Sequence, residues 1–146
     1  MKNKIFYLVL VVMFFVNFAY CKNVKYIIKP HILKVLDGDT ILIKTKEGTA
    51  SVRLTGIDCY ETKMNSHIKY QKTDDISYEE IFKRGRLAKE RLEKLISDKN
   101  ISLEITGIDR KYGRFVGVLY SSDGKNINKE MLKDDLCKVY VFKPEK

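Results

Sequence analysis

The 146 residues predict an α+β fold that is mainly β, and three features point that way. Short runs of alternating or β-branched apolar residues recur in both halves of the chain, separated by the turn pairs Asp37-Gly38, Glu47-Gly48 and Asp123-Gly124. One long central stretch changes from a period of two to a helical period. The length suits one domain with one core and is too short for two.

Lys2 and Lys4 precede an apolar run over residues 5–16, and small Ala19 and Cys21 sit two apart. This pattern is expected of a secretory signal peptide, residues 1–21, cleaved after Cys21 and leaving residues 22–146 as the domain. The competing reading is an uncleaved membrane anchor. Asn17 interrupts the run, which falls short of the roughly 20 residues a span needs. A lipid-modified Cys21 ranks third because Tyr20 is bulky for that signal.

In the remaining chain, residues 24–28 predict a first strand ended by Lys29-Pro30, and residues 32–36 a second. Asp37-Gly38-Asp39 turns tightly into a β-branched strand over 40–45, and Lys46-Glu47-Gly48 is a hairpin turn into a strand over 50–57 that carries Arg53. Residues 62–76 are polar and read as a flexible surface loop. Ser77-Tyr78-Glu79-Glu80 is a capping box, and Ile81, Phe82, Gly85, Ala88, Leu92, Leu95 and Ile96 recur at helical spacing up to Ser97. Gly85 is the weak point of that helix by propensity. Strands are expected over 101–108 and 115–120, a short helix over 127–135, and a last apolar segment over 139–142. About five strands interrupted by one long helix and followed by a short one fit a small five-stranded Greek-key barrel of the oligonucleotide-binding type.

The chain carries a net charge of +9, with 28 Lys and Arg against 19 Asp and Glu; loss of Lys2 and Lys4 with the leader would leave +7. A basic exported domain is drawn to polyanions, nucleic acid above all, although a solvated lysine-rich surface accounts for the charge equally well. The cysteines are Cys21, Cys59 and Cys137. Without Cys21 an even pair remains, open to a Cys59–Cys137 disulfide or to two buried thiols.

The stretch with chemical content is Val52-Arg53-Leu54-Thr55-Gly56-Ile57-Asp58-Cys59-Tyr60-Glu61-Thr62, read with Leu36-Asp37-Gly38-Asp39-Thr40. Carboxylates grouped at turns suit a hard cation, and an arginine among them suits a phosphate oxygen. Taken singly, Asp-Gly-Asp is ordinary turn chemistry and Arg110-Lys111-Tyr112-Gly113-Arg114 an ordinary basic turn. Together in one small basic β-rich chain they surround a single expected pocket. His31 and His67 have no ligand-like company and read as surface residues, which argues against a zinc site.

From about residue 32 to 144 the chain resembles the thermonuclease family, the staphylococcal-nuclease-like domains, through three motifs. Leu36-Asp37-Gly38-Asp39-Thr40 resembles the family's first acidic turn, which implies Asp39 as a calcium ligand. Val52-Arg53-Leu54 with Gly56-Ile57-Asp58-Cys59-Tyr60-Glu61-Thr62 resembles the central motif. That implies Arg53 as a catalytic arginine, Asp58 and the backbone carbonyl of Cys59 as further ligands of one Ca2+ ion, and Glu61 as general base. Asp109-Arg110-Lys111-Tyr112-Gly113-Arg114 resembles the third motif, implying Arg114 as the second catalytic arginine and Lys111 and Tyr112 as phosphate contacts. Tyr140 opens a segment whose first aromatic lines the family's nucleotide pocket. The chain departs from the pattern where Cys59-Tyr60 replaces the usual Thr-Pro or Ala-Pro, in the unalignable loop over 62–76, and in stopping at Lys146. A Cys59–Cys137 bridge would offset the lost rigidity.

The resemblance implies an exported, calcium-dependent endonuclease acting on DNA and RNA, with nucleic acid as substrate and no stable protein partner; membrane association follows only if the leader is retained. The rival expectation, from another class, is a single-strand-binding module that kept the fold and lost hydrolysis. That rival predicts missing catalytic groups, and Asp39, Arg53, Asp58, Glu61 and Arg114 are all present.

Overall fold

A computed structural model describes residues 26–98 and 100–141. The expected signal segment and residues 142–146 lie outside the described residues. Eight strands and two α-helices follow in the order β1 (Tyr26–Ile28), β2 (His31–Asp37), β3 (Thr40–Lys44), β4 (Thr49–Leu54), β5 (Ile57–Cys59), α1 (Tyr78–Leu95), β6 (Ser102–Asp109), β7 (Arg114–Tyr120), α2 (Ile127–Glu130) and β8 (Cys137–Val139). The class is the expected one. The strand count exceeds five because a six-stranded sheet, ordered β1-β6-β7-β4-β3-β2, is joined by a separate β5-β8 ribbon.

Strands β2, β3 and β4 form the expected antiparallel meander, and β4 meets β7 in a parallel pair. Strands β1 and β2 occupy opposite edges, yet only Lys29 and Pro30 separate them. Three residue steps reach at most about 11 Å, so the sheet must curl until the end of β1 stands near the start of β2, with which it does not pair. Inside the roll lie Ile41, Val52, Leu54, Leu103 and Leu119, closed off by Ala88 and Leu92 of α1 and by Ile127 and Met131 next to α2. The period of two that buries Val52 and Leu54 turns Arg53 to the opposite face of β4.

The expected strand over 50–57 breaks in two. Gly56 adopts φ +81, a left-handed turn that other residues resist. It sends Ile57–Cys59 out of the large sheet to pair with β8 instead. Buried Asn128 secures the break: its amide nitrogen donates to the carbonyls of Thr55 (2.9 Å) and Gly117 (3.2 Å), and its oxygen accepts from the Leu119 N–H (3.1 Å). The expected helix over 127–135 stops at Glu130 and continues only as turns, ending at Asp135 with positive φ. The final pairing falls at Cys137–Val139, earlier than the apolar run over 139–142 indicates, because Cys137 lies opposite Cys59 in the ribbon and is disulfide-bonded to it.

Helix α1 starts where the capping box places it, with the Ser77 hydroxyl accepting from the Glu80 N–H at 3.2 Å. Its buried stripe is Ile81, Gly85, Ala88 and Leu92. Gly85 is a contact rather than a weak point. A Cβ there would stand 2.2 Å from the Glu61 carbonyl oxygen, and one on Gly38 would stand 2.6 Å from the Ala88 Cβ. The helix thus rests directly on the backbone of residues 60–61 and of the acidic turn.

Two stability predictions follow from this packing. Gly85→Ala improves helix propensity by about 1 kcal/mol, but displacing backbone costs about 1–3 kcal/mol. Chemical denaturation should therefore show a net loss, whereas a gain would mean that the close approach is absent. The Cys59–Cys137 bond closes a loop with a sequence separation of 78. Replacing both cysteines by alanine is expected to lower stability by about 2–4 kcal/mol, measured without reductant.

Candidate active site

The register of β3 on β4 sets Thr40 opposite Arg53, which brings the Asp37-Gly38-Asp39 turn beside the arginine. Arg53 then bridges two acids: Nη1 reaches Asp39 Oδ1 at 2.5 Å and Nη2 reaches Asp58 Oδ1 at 3.0 Å. Asp39 is buried, and its other oxygen accepts from the Cys59 N–H at 2.7 Å while the Thr40 hydroxyl donates to Oδ1. Burial pushes the Asp39 carboxyl up to about 7, against the pull of the Arg53 guanidinium and with a further push from Asp37.

Glu61 is gripped along its whole length by the segment expected to be a loose loop. Asn65 Nδ2 donates to Glu61 Oε2 at 2.6 Å, and His67 Nδ1 lies 3.3 Å from Oε1. The Glu61 N–H donates to Gln71 Oε1 at 2.9 Å, and Gln71 Nε2 donates to the Cys59 carbonyl at 2.8 Å. The segment is ordered by Asn65 Oδ1, which accepts from the N–H groups of His67 and Ile68, by a single 3-10 turn at Ile68–Tyr70, and by Ile68 packing with Tyr60 and Ile81. His67 is thus a partner of Glu61 rather than an isolated surface residue. Nothing in the polar run Tyr70-Gln71-Lys72-Thr73 marks Gln71 as buried, and its two bonds hold a stretch where the sequence has Cys59-Tyr60 in place of a rigid proline pair.

Arg114 opens β7 and donates from Nη2 to Asp109 Oδ2 at 2.7 Å, with its guanidinium carbon 4.7 Å from the Tyr112 ring centroid. Burial alone would raise the Asp109 carboxyl; the Arg114 hydrogen bond and charge, with N–H donors of Tyr112 and Lys111, hold it below the usual carboxylate value. Tyr140 is brought in by the ribbon, its N–H donating to the Gly56 carbonyl at 3.1 Å.

Most of the candidate site residues line one cleft of about 630 Å³. Asp39, Arg53, Asp58, Glu61, Lys111, Tyr112, Arg114 and Tyr140 contribute to its wall, whereas Cys59 does not. Within it five carboxylates (Asp37, Asp39, Asp58, Glu61, Asp109) meet four permanent cations (Arg53, Arg110, Lys111, Arg114). A phosphate entering unaided would meet no excess of positive charge. The hard oxygen donors of Asp39 and Asp58, held together on one guanidinium, fit a divalent cation that would correct this balance. Among the described residues no three His, Cys, Asp or Glu side chains are gathered to hold an ion alone. Such a cation would draw the rest of its oxygen shell from main-chain carbonyl, water and substrate.

The chain is similar to an uncharacterized endonuclease of Escherichia coli O157:H7, 28% identical over 109 residues, covering 75% of this chain and 59% of the relative. It is 31% identical over 127 residues to endonuclease YncB of Bacillus subtilis (strain 168), covering 84% of this chain and 54% of that protein. The B. subtilis endonuclease YhcR matches over 114 residues at 28% identity, which is 9% of its length. The chain therefore spans little more than half the length of the first two of these curated relatives. The family profile described as staphylococcal nuclease homologue matches residues 51–146, which hold Arg53, Asp58, Glu61 and Arg114, and on that match the chain belongs to the staphylococcal nuclease homologue family.

Proposed function

We propose that the protein is an exported, calcium-dependent nuclease that hydrolyses phosphodiester bonds of DNA and RNA in the 630 Å³ cleft. The observation that carries this reading is the convergence of Arg53, Asp39, Asp58, Glu61 and Arg114 on a single cavity from four separate parts of the chain. Membership of the family and the endonuclease names of its relatives support it. The signal-like residues 1–21 support export, and so does a disulfide, which persists in oxidising compartments.

The residues take the following roles in this reading. Asp39 and Asp58 would hold a calcium ion, which when bound would lower the charge that the nucleophile must approach; the Cys59 carbonyl, which the resemblance adds as a ligand, accepts from Gln71 Nε2 and lies off the cleft wall. Arg53 and Arg114 direct further N–H groups at the equatorial oxygens, whose negative charge grows as the phosphorus becomes five-coordinate. Glu61 accepts a proton from water as the new O–P bond forms in line with the breaking P–O bond. Asn65 and His67 hold the Glu61 carboxylate, and Gln71 holds its backbone, so the base keeps its aim without a proline. Lys111, Tyr112 and Tyr140 bind the phosphate and base flanking the scissile bond.

The deciding experiment measures cleavage of single-stranded DNA, duplex DNA and RNA by the purified protein with calcium and with chelator. Glu61→Gln is expected to lower kcat by about 10²–10⁴-fold, the usual contribution of a general base. Binding without cleavage in calcium by the unaltered protein would instead make it a nucleic-acid-binding module. Gln71→Met removes both clamp bonds and leaves the Cys59 carbonyl and the Glu61 N–H without their partner. Stability should fall by about 1–3 kcal/mol. In the folded variant kcat should fall well beyond any change in KM; unchanged kcat would show that the clamp does not aim Glu61.

A further inference from the structure

The roles above leave unused the outer side of the segment that grips Glu61. Tyr70 is 73% exposed there, with Lys69 Nζ 5.1 Å from its ring centroid. Its ring lies 5.7 Å from the His67 ring, tilted by 52°. His67 in turn lines the cleft and touches Glu61, so two rings in succession lead outward from the reacting centre. The β6–β7 turn has the same build: Tyr112 is 61% exposed and Lys111 Nζ stands 5.3 Å from its ring. An exposed aromatic ring with an ammonium over one face, free to swing to a phosphate, matches one repeating unit of a single strand, a base to stack and a phosphate to neutralise.

We propose that His67 and Tyr70 form a second stacking platform, which takes the bases of a single strand as it leaves the cleft past Glu61. The inference rests on the nuclease reading for its substrate class, and it names the strand's path beyond the scissile bond. Continuity with the cleft and the positive charge of Lys69 favour this occupant. A duplex would keep its base faces stacked on one another and unable to use the rings. The platform therefore confers a preference for single strands or frayed ends and for cleavage within a chain.

The test compares the full protein with its Tyr70→Ala and Tyr70→Phe variants on a long single-stranded oligonucleotide and on a dinucleotide too short to reach Tyr70. Loss of one stacked base is expected to raise KM for the long strand about fivefold or more, with kcat little changed. The dinucleotide should be cleaved as before, and Tyr70→Phe, which keeps the ring, should behave as the unaltered protein. An unchanged KM for the long strand would overturn the proposal. So would an equal loss on both substrates, which would mean that Tyr70 acts only by supporting His67. If the unaltered protein cleaves nothing, the nuclease reading fails separately, and oligonucleotide binding by fluorescence anisotropy decides the platform by the same fivefold criterion.

Discussion

The bridge from Arg53 to Asp39 and Asp58 is the constraint on which the rest of the site depends. It joins the turn before β3, the end of β4 and the middle of β5, three elements with different partners in the sheet and ribbon. Its groups are largely withdrawn from water, so it contributes little net stability once desolvation is counted. Its value is positional. With Arg53 bound to both acids, the two carboxylates are held together at one point of the cleft wall.

The second half of the site is held by backbone contacts. Helix α1 presents Gly85 to the backbone of residues 60–61 and the small Ala88 side chain to Gly38, so the helix packs closely on both stretches. Gln71 pins the same stretch from the other side, and the bond from Cys59 to Cys137 ties it to β8, which delivers Tyr140. Three independent attachments thus converge on residues 59–61. A main-chain path that lacks proline rigidity is instead fixed by its surroundings, which is how the departure at Cys59-Tyr60 is compatible with a built site.

The electrostatics explain why a basic protein needs more than its net charge. The excess of Lys and Arg is spread over the chain, whereas the cleft itself holds five acids and four permanent cations. Long-range attraction brings a polyanion to the surface. Within the cleft that excess is absent, because the acids there balance the arginines and the lysine.

Much of the fold was legible because its signals are local. The period of two around Val52, Arg53 and Leu54, the Ser77 cap and the stripe from Ile81 to Leu92 each depend on residues close in sequence, so the sequence by itself determined a meander, a long helix and which side of β4 carries Arg53. The resemblance of its motifs to the family likewise nominated Asp39, Asp58, Glu61 and Arg114. Other features depended on partners far along the chain. The break at Gly56 is secured by Asn128 reaching Thr55 across 73 positions. Gly85 reads as a poor helix former until Glu61 lies against it, and Gln71 reads as loop until Cys59 and Glu61 offer it two backbone groups. His67 reads as solvent-exposed until the 3-10 turn carries it to Glu61. Tertiary structure alone decided these, because a hydrogen bond or a close approach between distant segments leaves no periodicity in either one.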